Sequence, residues 1–136
     1  MIEELQNEYD ALLQRARPSA AKYRLQTERS DDGAPHVEMT GTTIDFVTTE
    51  RGLELARRSF ASKDDFLYAA ISLDTFWMGV DYEFKHRIES QDARRMIFAR
   101  QIELLNLIDP VWARRRSIEI DAILVENPYL DGGGPI

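Results

Sequence analysis

Apolar residues recur along this chain at two different spacings, and the switches between them mark out its elements. Ile2, Leu5, Tyr9, Leu12, Leu13 and Ala16 fall mostly three or four positions apart, which predicts an amphipathic helix over residues 2–16, closed by Arg17-Pro18. Its polar face carries Glu3, Glu4, Glu8 and Arg15. The spacing then drops to two. Tyr23, Leu25 and Thr27 alternate with polar neighbours in residues 22–28, and Val37 and Met39 do so in residues 36–40. Residues 43–49 are rich in β-branched and aromatic side chains, and residues 53–60 read as a further strand. Residues 30–35, Gly41 and Arg51-Gly52 supply the turns. Such short connections predict an antiparallel meander of three or four strands.

Residues 62–87 return to helical spacing over the longest stretch of the chain. Phe66, Ala70, Leu73, Trp77, Val80 and Phe84 form one apolar stripe, and Leu67, Ile71, Met78 and Tyr82 form a second about a third of a turn away. Two stripes imply a helix sandwiched between layers, with Trp77 in the core. Ser62 with Asp65 resembles a capping box, and Ser72 and Gly79 leave room for another backbone on a third sector. After a break at residues 88–92, with Ser90 or Asp92 as the next cap, residues 93–108 are apolar nearly all round. Asp109-Pro110 opens a last helix with Trp112, Ile120, Ile123 and Leu124 facing inward, and Asn127-Pro128 stops it. The expected fold is α+β: an N-terminal helix, the meander, then three helices packed on one face of the sheet. One domain over residues 1–130 and a flexible Gly-rich tail over 131–136 are expected.

Charge sharpens this picture. The net charge of −7 arises entirely between residues 31 and 92, because residues 1–30 and 93–136 are each balanced. That placement disfavours nucleic acid as a partner, which needs clustered Lys and Arg, and fits a basic protein partner or a solvated acidic surface. No apolar run approaches the ~18 to 20 residues of a membrane span. The acidic start of the chain lacks a signal-peptide pattern, and with no cysteine the expected setting is the cytoplasm.

Candidate chemistry is sparse. There is no Gly-rich phosphate loop, and two histidines without cysteine rule out the usual zinc sites. Glu83-x-x-His86 has the ligand spacing of di-iron bundles, but a second copy of the motif is missing, so a helix-end ion pair from Glu83 to Arg87 is the expectation. Asp74 and Asp81 project between the two apolar stripes and need partners or solvent. Pairing with Arg94, Arg95, Arg100 or Arg114-Arg115-Arg116 is expected, and a solvent-facing groove is the alternative. Asp81 also has Lys85 one turn on. An enzyme using Asp74, Asp81, Glu83 and His86 stays open as a second function class, and a structural adaptor subunit as a third. No catalytic residue, metal or cofactor is assigned.

Glu50-Arg51-Gly52, the run from Phe66 to Leu105, then Pro110, Trp112 and Asn127-Pro128 resemble a family of bacterial immunity proteins, immunity protein 63. The most specific part runs from Asp81-Tyr82-Glu83 through Gln91-Asp92 and Arg94-Arg95 to Phe98-Ala99 and Gln101. The resemblance implies a small cytosolic protein, encoded beside a polymorphic toxin, that works by binding the cognate toxin domain and needs no catalytic group. Combined with the charge pattern, it points to the acids Asp31, Asp32, Asp45, Asp74, Asp81, Glu83 and Glu89 as toxin-binding residues, of which Asp31, Asp32, Asp45, Glu83 and Glu89 are expected to be exposed.

Overall fold

A computed structural model describes residues 2–17 and 23–132. Helix α1 (Ile2–Gln14) is followed by strands β1 (Asp32–Thr40), β2 (Thr43–Glu50) and β3 (Leu53–Phe60), then helices α2 (Lys63–Lys85), α3 (Ala93–Ile108) and α4 (Pro110–Glu126). The fold is therefore α+β, with a three-stranded antiparallel sheet in the order β1-β2-β3. Backbone packing divides the chain into two compact units, Met1–Ile71 and Ser72–Ile136.

In the first unit, α1 buries Leu5, Tyr9 and Leu13, one residue per turn. The sheet is a meander because its loops are too short for anything else. Thr40 pairs with Thr43 across Gly41, and Glu50 pairs with Leu53 across Arg51-Gly52. Arg51 and Gly52 both have positive φ, 52° and 81°, as a two-residue hairpin loop matched to strand twist requires. Central β2 has both faces covered, burying Ile44, Asp45, Val47 and Thr49. Phe46 on β2 and Phe60 on β3 meet Phe66 of α2 edge-on at 5.4 and 5.7 Å, so the first turns of α2 pack on that face of the sheet. Of the three or four strands expected, three form among the described residues. Residues 23–28 have no regular structure, although the Val37 N–H donates to the Gln26 carbonyl at 2.8 Å; Lys22 lies outside the described residues. One buried side chain, Leu25, is all that the alternating pattern there supplies.

In the second unit, the caps are those the sequence implies. Asp92 accepts from the Arg94 N–H at 2.9 Å and Asp109 from the Val111 N–H at 2.9 Å, with Pro110 as first helical residue. Ile97, Phe98 and Ile120 form a core cluster against which Phe76, Val80 and Ile102 pack. Gly79 lies against the α3 backbone: a Cβ built on it would stand 2.6 Å from the Ile97 carbonyl oxygen. The chain after α4 is tied to the start of α3. Arg94 donates to the Asn127 and Pro128 carbonyls at 2.8 Å each, and Arg95 pairs with Asp131 at 2.6 Å. Asp131 is the first residue of the expected tail, and residues 133–136 lie outside the described residues.

Candidate partner-binding surface

The acids expected to bind a partner fall into three physical situations. Asp31, Asp32 and Glu89 are exposed. Asp31 accepts from Arg29 at 2.7 Å and Asp32 from the Ser30 hydroxyl, and these bonds hold both carboxyls below the usual range. Asp45 and Glu83, in contrast with expectation, are buried at 3% and 4% exposure. Strand and helix geometry explains both corrections. Asp45 shares a sheet face with Arg57, which reaches it at 2.6 Å and also holds Glu38 and Glu54 at 3.1 and 2.8 Å. The Ser59 hydroxyl and Arg57 together lower the Asp45 carboxyl below its normal range. Glu83 receives both arms of Arg87, one helical turn on, at 3.0 and 3.2 Å, which is the i,i+4 pair the spacing suggests. Three carboxylates share Arg57, so that cluster stays net negative, whereas Glu83 and Arg87 offset each other.

Asp81 pairs with Lys85 at 3.2 Å, one turn away. Asp74 is half-buried, and Arg94, Arg95, Arg100 and Arg116, among the arginines expected to meet it, are engaged elsewhere. Arg94 holds Asp92, Arg95 holds Asp131, Arg100 holds Glu103, and Arg116 bonds Gln101 and Glu119. Each finds its acceptor on or next to α3 or α4, and Arg100 meets α2 at the Tyr82 ring, 4.7 Å from its centre. With burial as the single cause acting on it, the Asp74 carboxyl is pushed up to about 7.

This shift carries a stability prediction with a defined sign. From pH ~4 upward the unfolded chain gives up the Asp74 proton, whereas the folded protein keeps it until about pH 7, so folding loses stability across that interval. Asp74→Asn removes the loss. The variant should exceed the parent by about 1 to 3 kcal/mol at pH 8, less than the full shift because the carboxyl keeps some solvent contact. The gap should close towards pH 4. Urea midpoints at several pH values check this; a gap independent of pH would mean Asp74 titrates normally.

His86 does not complete a catalytic group with these acids. Its ring stacks on Tyr82 at 4.1 Å, and Nδ1 lies 2.8 Å from the Tyr82 carbonyl oxygen. Among the described residues, no cluster of three or more His, Asp or Glu side chains could hold a metal ion, and no helix is long and apolar enough to cross a membrane.

The feature that charge reasoning missed is apolar. Over its second half the buried positions of α2 are small or polar: Thr75, Gly79 and Glu83, one per turn. Gln101 of α3 is fully buried beside them, donating to the Ser72 carbonyl at 2.8 Å and accepting from Arg116 of α4 at 3.0 Å. Of the large residues in the same half, Phe76 and Val80 also pack inward, but one sector faces solvent instead. Trp77 is 53% exposed and Phe84 71%, with Leu73 and Ile88 also exposed. The expectation that Trp77 lies in the core is therefore wrong. The signal that could have corrected it was the Ser72/Gly79 spacing, which marks the sector another backbone can approach.

A sequence model of one protein family, immunity protein 63, matches residues 41–122. No curated protein and no solved structure matches the chain.

Proposed function

The chain belongs to the immunity protein 63 family, and from that membership we propose that it is a dedicated inhibitor, binding a cognate toxin domain in the cytoplasm and covering its working surface. The observation that carries this reading is the family match, which takes in β2, β3, α2, α3 and most of α4. The surface is in keeping with it. An inhibitor needs a complementary face rather than convergent acid–base groups, and Asp81, Glu83 and His86 each bond a neighbour one helical turn away. The alternative of an enzyme built on those residues and Asp74 has correspondingly less support.

Exposed acids would aid encounter if the toxin is basic. Charge complementarity acts mainly on the association rate and is screened over ~10 Å at 0.1 M salt. Asp31 and Asp32 in the first unit and Glu89 in the second are the originally expected acids that remain exposed.

The test is co-expression with the toxin domain encoded by the adjacent gene. Cells carrying both should survive, and the purified proteins should elute as one complex. Within that complex, reversing Asp31, Asp32 and Glu89 to Lys should slow association several-fold at low salt. Reversal of Glu3, Glu4 and Glu126, exposed acids outside the acidic stretch, serves as the control. Survival without a physical complex would overturn binding as the mechanism, and equal effects from the two charge sets would remove the electrostatic component.

A further inference from the structure

Resting on the reading that this chain is a toxin inhibitor, we propose that the exposed strip formed by Leu73, Trp77 and Phe84 on α2, continued by Ile88, is the surface on which the toxin domain docks. Trp77 is its central anchor, and Asp74 accepts a cationic side chain of the toxin.

Geometry places these residues together. At about 100° per residue, Leu73, Trp77 and Phe84 fall within ~40° of arc, and at 1.5 Å per residue they span ~16 Å of helix. Large apolar groups in a row on a water-facing helix mark an interaction site more often than a scatter of single exposed residues does. The strip is also pre-formed. Trp77 sits edge-on against Phe76, with ring centroids 5.6 Å apart, and the Arg87 guanidinium lies 5.6 Å from the Phe84 ring centre while paired with Glu83. Side chains already held in place lose less entropy on binding. Tryptophan, moreover, is among the residues that most often dominate interface energy.

The chemistry of the partner follows from the acids along one flank of the strip. Asp74 and Asp81 lie three positions before and four positions after Trp77, so both border the indole. Asp81 has Lys85. Among the described residues, Asp74 has no cation to offset its burial, and its proton is held up to about pH 7 in consequence. A Lys or Arg arriving from a toxin would let that carboxylate ionise within the interface, where a charge pair has its partner and water is excluded. The occupant is thus a toxin surface with an apolar depression for an indole and a cation beside it. The other large exposed apolar groups among the described residues, such as Leu53 and Leu55 on β3 and Val111, Ile118 and Val125 on α4, include no aromatic anchor.

The experiment measures affinity and dissociation rate for the purified chain against the adjacent gene's toxin domain, used as an inactive variant. Trp77→Ala should weaken binding by about 30-fold or more, the range of an interface hot spot. Phe84→Ala, at the most exposed position of the strip, should weaken it by about tenfold with no change in thermal melting. Asp74→Asn should raise the dissociation rate by about tenfold, as loss of a desolvated charge pair does. Leu55→Ala and Ile118→Ala should stay within about threefold of the parent. If the parent forms the complex but Trp77→Ala and Phe84→Ala bind as tightly, the docking surface is elsewhere and the inhibitor reading stands. If the parent itself forms no complex, that reading falls and the proposal with it. A free protein that is a dimer, broken by Trp77→Ala while toxin affinity is unchanged, would assign the strip to a second copy and overturn the proposal.

Discussion

Phe66→Ala should lower the stability of this protein by about 3 to 5 kcal/mol, the cost of deleting a buried aromatic and leaving its cavity. Phe66 is 0% exposed and lies edge-on to both Phe46 and Phe60, so its ring is the contact through which α2 grips the sheet. The surrounding rings cannot collapse into the space, since Phe46 and Phe60 are fixed by strand pairing with Arg58 and Ile44 respectively. The contrast that makes the experiment informative is Trp77→Ala. Helical periodicity alone puts Trp77 on the same stripe as Phe66 and predicts a similar loss. Its 53% exposure instead predicts a change under ~1 kcal/mol, as for most surface substitutions. Denaturant midpoints of the two variants decide between these accounts. Equal losses would mean that the second half of α2 faces inward after all.

Gly79→Ala should also destabilise, although helix propensity argues the other way. Alanine is favoured over glycine by about 1 kcal/mol in a helix interior. At this position, however, a Cβ would stand 2.6 Å from the Ile97 carbonyl oxygen and 3.4 Å from its Cα. Those atoms belong to helix backbone, so the obstruction cannot rotate away as a side-chain tip would. Helices α2 and α3 must separate, loosening Gln101 from the Ser72 carbonyl and the Phe98 cluster with it. We expect a net loss of about 1 to 3 kcal/mol, the usual range for overpacking, read as a lower urea midpoint. An unchanged or raised midpoint would show that the helices are not in close contact there.

These two substitutions also show where sequence reasoning succeeds. Elements whose signals are local were legible. The caps at Ser62, Asp92 and Asp109, the stop at Asn127 and the hairpin loop at Arg51-Gly52 are fixed by backbone groups a few residues away. The Glu83–Arg87 and Asp81–Lys85 pairs are one helical turn long and equally local. The order of elements follows from these signals and from two alternating periods. Family membership was legible for a related reason, because the run from Phe66 to Leu105 is a string of specific residues rather than a pattern.

What the sequence left open was which side of each element would face in. On α2 it offers two apolar stripes and a small-residue sector, and no local rule chooses among them. Packing density decides: Gly79 and Thr75 let α3 approach closely, so that sector is buried and Trp77 and Phe84 are left outside. The acids are the same problem in electrostatic form. Asp45 and Asp74 are chemically identical in sequence, yet strand register sets Arg57 within 2.6 Å of the first, while Arg94, Arg95, Arg100 and Arg116, which could have met the second, pair with other acceptors. Periodicity and charge are properties of the chain and determined the elements and the acidic excess. Burial and pairing depend on distances between residues far apart in sequence, and only the tertiary structure sets those.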